Sequence, residues 1–114
     1  MKKLLIVEDE SIIARDYKLM IENSGHNVIK IVNNGKDAIE VAVESNPDFI
    51  LMDINIKGKM NGIEAAEEIH KKQSKSKIIF ITAYDITTFV FLEFKHYLLN
   101  KPLIKNNLLT ILNN

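Results

Sequence analysis

Phe49-Ile50-Leu51-Met52-Asp53 is the stretch that decides the fold of this chain: four consecutive apolar side chains that end on a bare carboxylate. It follows a break at Pro47-Asp48, and so short and continuous an apolar run fits a strand buried on both faces, the mark of a parallel sheet covered by helices. Asp53 then falls at the strand's carboxyl end, the edge at which open α/β sheets bind their ligands. Taken alone, a strand-ending aspartate is as readily a turn cap as a chemical group. The neighbouring strands have to separate the two.

Working back toward the amino terminus, Ala38, Ile39 and Ala42 mark the apolar side of a helix that ends near Asn46-Pro47 and follows the turn Asn33-Asn34-Gly35. Val28 to Val32 is strand-like. Before it, Ile13, Tyr17, Met20 and Ile21 recur at helical spacing, with Ser11 as the expected N-cap and Gly25 as the expected stop. Leu4 to Val7 is a second short buried strand, and it delivers Glu8, Asp9 and Glu10 at its end.

On the other side of Asp53, residues 54–62 form a loop with two glycines, and Asn61 and Glu64 have capping-box spacing ahead of Ile63, Ala66 and Ile69. A third helix is expected there. Ser74 to Lys77 is a polar connection, and Ile78 to Ile81 is another continuous apolar strand that closes on Thr82. The segment Ile86 to Phe94 is rich in β-branched and aromatic residues and reads locally as a strand. A parallel sheet needs a crossover before the next strand at Tyr97-Leu98-Leu99, so the segment is assigned to a helix. Lys101-Pro102 ends that strand, and Ile104, Leu108, Ile111 and Leu112 form a final helical stripe. The alternation predicts one α/β domain over 1–114: a doubly wound, five-stranded parallel sheet with helices on both faces.

The bulk composition narrows the function. A chain of 114 residues, 46% of them hydrophobic, buries one sizeable core. Fifteen basic residues balance fifteen acidic ones, so the basic excess of a nucleic-acid binder is not evident. With no cysteine there is no disulfide, thiolate metal site or cysteine nucleophile, and the cytosol is compatible. The apolar run after Met1-Lys2-Lys3 stops after four residues at Glu8-Asp9-Glu10, too early for a signal peptide or a membrane span.

Successive strand ends therefore present Glu8 with Asp9, then Asp53, then Thr82, and a fourth presents Lys101. In a parallel sheet these lie along one edge. Carboxylates held together repel one another, and a hard divalent ion such as Mg²⁺ relieves that repulsion through oxygen ligands. Carboxylate, metal, ammonium and hydroxyl together describe transfer of a phosphoryl group to an aspartate. Individually, Glu8 reads equally well as a solvated loop acid, Thr82 as a strand residue and Lys101 as a surface cation. Their joint position favours the chemical reading.

At these residues the chain resembles the receiver domains of two-component response regulators, which implies the flavodoxin-like strand order 2-1-3-4-5. The resemblance rests on Val7-Glu8-Asp9-Glu10, Leu51-Met52-Asp53-Ile54, Gly62 at the start of the third helix, Ile81-Thr82-Ala83 and Lys101-Pro102, in that order along nearly the whole chain. It implies that Asp53 is the phosphoacceptor, and that Mg²⁺ is held by Glu8, Asp9, Asp53 and the backbone carbonyl of Asn55. It further implies that Thr82 and Ala83 turn toward the phosphoryl group, that Lys101 pairs with a phosphate oxygen and that the Lys101-Pro102 bond is cis. Asn55 and Tyr84, two residues beyond the acceptor and two beyond the threonine, stand where the family tunes dephosphorylation.

The partners it implies are a histidine kinase or phosphotransfer domain as donor, and a downstream protein or a second copy docking on the face from Thr82 to Asn114. It implies a cytoplasmic signalling domain, not an enzyme, with no direct contact to nucleic acid or membrane and no output domain within these residues.

The departures from the pattern are local. The family's switch aromatic stands three residues before the lysine, which here is Leu98, and Tyr97 lies one position earlier; alternation turns the two to opposite faces of the strand unless a bulge intervenes. Phe89, Phe91 and Phe94 make the fourth crossover unusually apolar, which fits either buried core or a partner surface. His26, His70 and His96 are scattered and read as surface residues, Met52 as core, and Lys71, Lys72, Lys75 and Lys77 as a solvated helix end and loop. A phosphatase or phosphotransferase on a similar sheet would want a second acid where this chain has Asn55, and a flavodoxin-like FMN carrier would want a Ser/Thr/Gly-rich loop after the first strand. A receiver reduced to dimerisation or docking would have lost polar positions that are all filled here.

Overall fold

The computed structural model describes residues 1–83 and 92–114. Its elements are β1 (Lys3–Val7), α1 (Ser11–Asn23), β2 (Asn27–Val32), α2 (Gly35–Ser45), β3 (Phe49–Asp53), α3 (Gly62–Lys72), β4 (Lys77–Thr82), β5 (His96–Asn100) and α4 (Lys105–Leu112). All strand pairs are parallel and the order is β2-β1-β3-β4-β5, the flavodoxin-like order that the resemblance implies. The order reverses between β1 and β3, so the crevice of the sheet opens between the ends of the strands that carry Glu8 and Asp53.

The continuous apolar runs are explained by a sheet covered on both sides. Leu5, Val7, Ile50, Met52, Ile78 and Phe80 pack toward α2 and α3. The alternate residues Leu4, Ile6, Phe49, Leu51, Ile79 and Ile81 pack with Tyr17, Ile21, Leu108 and Leu112 of α1 and α4. Every residue of β3 is buried, Asp53 included.

Local chemistry fixes the helix ends. The capping box at α3 is complete: Asn61 Oδ1 accepts from the Glu64 amide at 2.9 Å, and Glu64 Oε1 accepts from the Asn61 amide at 3.0 Å. Gly25, at φ +89°, follows the C-cap of α1, with the Gly25 and His26 amides donating to the Glu22 and Ile21 carbonyls. The predicted N-cap of α1 is corrected. Glu10, not Ser11, is the cap residue, because Glu8 Oε2 accepts from the Glu10 amide and closes the turn early, and the Glu10 carbonyl then receives the Ala14 amide.

Two further expectations change. Residues 92–94, the end of the expected crossover helix, are not helical, and Phe94 instead stacks on His70 with ring centroids 4.4 Å apart. Tyr84 and residues 86–91 of that helix, with Phe89 and Phe91, lie outside the described residues. The histidines are half-buried and partnered, not surface residues. His26 accepts from the Lys2 amide and meets the Asn113 side chain, and His96 packs edge-on to Phe80. Apolar surface drew them in: an imidazole keeps a polar tip while its ring packs. Among the described residues no helix is long and apolar enough to cross a membrane.

Candidate functional site

Because β3 is the third of five strands, Asp53 sits in the middle of the carboxyl edge, with the end of β1 on one side and those of β4 and β5 on the other. Glu8, Asp9 and Asp53 each bring a carboxylate oxygen within 4.8 Å of the others. Lys101, just past β5, extends its ammonium back across the edge to Asp53 Oδ2 at 3.3 Å and Glu8 Oε1 at 3.5 Å. Four of the residues expected from sequence are thus brought together.

Asp53 is held without being used up. Its Oδ1 accepts from the Asn55 amide at 3.0 Å and its Oδ2 from Lys101, which takes two of about four acceptor sites on a carboxylate and leaves one on each oxygen. Asp9 Oδ2 accepts from the Lys57 amide at 3.2 Å, tying the loop after β3 to the acidic cluster. Sequence reasoning missed this contact because a backbone amide carries no sequence signal. Gly62 is required here by close approach: a Cβ would stand 2.9 Å from the Asp53 carbonyl carbon. The Gly62 amide donates to the Ile54 carbonyl at 2.8 Å, which presses the start of α3 against the acceptor loop.

The electrostatics follow from crowding and burial. Burial pushes the Glu8 carboxyl up to about 7; the Asp53 charge and the Asp9 side chain add to the rise, and the Glu10 amide and Lys101 oppose it. Burial pulls the Lys101 ammonium down, but the charges of Asp53 and Glu8, with the hydrogen bond to Asp53, more than offset it and leave it raised. Tyr17 was legible only as a core position of α1, yet it lines a cleft with Lys101 and Pro102. Burial pushes its phenol up to about 12 against the pull of Lys101.

The donor set fits a hard divalent cation. Glu8 Oε1 is buried and has no hydrogen-bond partner among the described residues, only the ion pair to Lys101. With all three acids ionised, three negative charges against one ammonium leave an excess that a dication matches, and every donor is oxygen.

The remaining expected residues fall nearby or elsewhere. Thr82 is buried at the end of β4, and its carbonyl accepts from the Lys101 amide at 2.8 Å. Ala83 is exposed just beyond it, and Asn55 is exposed beside Asp53. The Lys101-Pro102 bond is cis. Tyr84 is outside the described residues. Tyr97 packs on the α1/α4 side, its ring tilted against Phe49 at 6.4 Å, while Leu98 packs on the α2/α3 side.

Comparison with known proteins identifies the family and the fold. Residues 4–113 match the family described as the response regulator receiver domain. The phyllosphere-induced regulator PhyR of Methylorubrum extorquens is 39% identical over 83 residues, 72% of this chain and 31% of that protein. The chemotaxis protein CheY of Thermotoga maritima is 38% identical over 82 residues, 72% of this chain and 68% of that protein. Among solved structures, the N-terminal domain of a response regulator/sensory box/GGDEF protein from Carboxydothermus hydrogenoformans superposes with a TM-score of 0.83 at 30% identity, covering 98% of this chain and 91% of that one. The matched stretch spans about a third of PhyR and about two thirds of CheY.

Proposed function

The chain belongs to the response regulator receiver family of two-component signalling, whose members are switches and not classical enzymes, and on that premise we propose that Asp53 is its phosphoacceptor. The observation that carries this reading is a buried carboxylate at the centre of the sheet edge, paired with Lys101 at 3.3 Å and crowded by Glu8 and Asp9.

In the proposed step an Asp53 oxygen attacks the phosphorus of a phosphohistidine carried by a histidine kinase or phosphotransfer domain. The P–N bond breaks, its electron pair leaves with the imidazole, and that nitrogen takes up a proton. Glu8, Asp9, Asp53 and the Asn55 carbonyl are the groups that would hold Mg²⁺, which when bound offsets the charge gathering on the phosphoryl oxygens. Lys101 moves from its carboxylate partners to a phosphoryl oxygen, Thr82 and the Ala83 amide take another, and Asn55 and Tyr84 set the rate of hydrolysis.

Phosphorylation is read out through the face from Thr82 to Asn114, by a downstream protein or a second copy, in the cytoplasm. The link is short: the carbonyl of Thr82 and the amide of Lys101 are already hydrogen-bonded, so a shift at either is felt by β5. Tyr97, packed on Phe49, is left out of that readout.

The test is intact-mass measurement after incubation with acetyl phosphate. A single phosphoryl adduct is expected with Mg²⁺, and none with EDTA or in Asp53→Asn. An adduct of equal yield in the variant would remove Asp53 from the role.

A further inference from the structure

At the opposite end of the strands, a cavity of about 250 Å³ opens between the C-terminal end of α3, the start of β4 and the segment entering β5. Two chain segments bring lysines to it: the stretch entering β4 supplies Lys75 and Lys77, and the stretch entering β5 supplies Lys95. Among the described residues none of the three is in an ion pair, and no carboxylate lines the cavity. In a chain whose acidic and basic residues balance, three lysines without a carboxylate make the wall of this cavity locally positive.

The rest of the wall is His70, Phe94 and Tyr97 with the two serines Ser74 and Ser76. Phe94 is stacked on His70 at 22° between ring planes, which orients its ring, and its backbone carbonyl is hydrogen-bonded to the His96 ring at 3.1 Å. Tyr97 contributes the other ring. The Lys77 ammonium lies 5.7 Å from the centroid of the Phe49 ring, beside the cavity, a contact that leaves its charge in place.

We propose that this cavity binds a small phosphate monoester attached to a flat ring, the chemistry of a nucleoside monophosphate. A phosphate monoester is close to a dianion at neutral pH and offers three oxygens, which suits a wall with three lysines better than the single charge of a carboxylate does. Base-like rings stack on aromatic side chains without needing a specific hydrogen-bond pattern. The volume lies just under the range of about 300–1,000 Å³ usual for small-molecule sites, so the cavity would take the phosphate and part of the base while the rest of the nucleotide stays in solvent.

About 16 Å of strand separates the start of β4 from its carboxyl end, so the site is independent of the acceptor at Asp53. It needs no Mg²⁺.

The experiment is an amide NMR titration of the protein with AMP in EDTA, beside adenosine alone and inorganic phosphate alone. The expected result is saturable shifts at Ser74, Lys75, Lys95 and Tyr97, with AMP bound at least tenfold more tightly than either half. Lys75→Ala with Lys95→Ala should weaken it at least tenfold while the rest of the spectrum keeps its dispersion, since both side chains are exposed. Absence of saturable shifts at these amides up to about 10 mM AMP, weaker than any useful affinity, would overturn the proposal. So would an equal response to inorganic phosphate, which marks an anion patch without ring recognition, or unchanged binding in the double variant.

Discussion

Glu8 gives the sharpest quantitative prediction, because its proton should make the metal-free protein less stable as the pH rises. Its carboxyl is held up to about 7, against 4.5 when the chain is unfolded, first by burial and then by the Asp53 charge. Between those two values the folded state keeps a proton that the unfolded state has released, so unfolding free energy falls with increasing pH. The loss begins near pH 4.5 and is complete just above pH 7.

A displacement of that size at about 1.4 kcal/mol per unit amounts to about 3 kcal/mol, a large part of the stability of a domain of this length. Urea titrations in EDTA at pH 4.5, 6 and 8 measure it. Glu8→Gln keeps the shape and an acceptor for the Glu10 amide but cannot titrate, so its stability should be nearly flat over the same window. Mg²⁺ should act in the opposite sense, because it competes with the proton for the same oxygens: stabilisation by a fixed concentration should be greater at pH 8 than at pH 5. A wild-type profile that matches Glu8→Gln, or one that rises from pH 4.5 to 7, would refute the reasoning that burial and the Asp53 charge control this carboxyl.

Three other perturbations test separate parts of the structure. Lys101→Met removes the cation shared by Asp53 and Glu8, and should slow phosphoryl uptake from acetyl phosphate by about 10²-fold; NMR titration should also find the Glu8 carboxyl higher still, since Lys101 opposes its rise. Gly62→Ala forces a methyl against the Asp53 and Ile54 backbone and should cost about 1–3 kcal/mol, read as a lower urea midpoint at unchanged slope. Tyr97→Leu should lower stability by about 1 kcal/mol through lost ring contact with Phe49 while leaving the yield of phosphoryl adduct unchanged; a lost adduct would return Tyr97 to the acceptor's pathway.

Much of the site was legible because each of its residues ends an apolar run. Glu8 and Asp9 follow β1, Asp53 ends β3, Thr82 ends β4 and Lys101 follows β5, and in a parallel sheet those ends share an edge. The opposite facing of Tyr97 and Leu98 was legible for the same kind of reason, since strand side chains alternate. Tyr17 was not: its helical spacing marks a core position whether or not the phenol lies beside Lys101. The partners of the histidines are not legible, because a scattered imidazole has no periodicity, and only the tertiary fold sets His70 of α3 against Phe94 in the segment before β5.

What the sequence determined by itself was the set of elements and the side of each strand that every residue faces, because those depend on periods of about 2 and 3.6 residues and on caps that act within one turn. What only the tertiary structure decided was which distant groups meet and how far apart. The lysine at position 101 reaches Asp53 and Glu8, forty-eight residues or more away, because the strand order places β5 two strands from β3. Glu10 caps α1 in place of Ser11 because Glu8 is already fixed in that edge. Lys75, Lys77 and Lys95 share a cavity for the same reason: side chains from separate crossovers acquire a common environment only when the sheet that aligns them has closed.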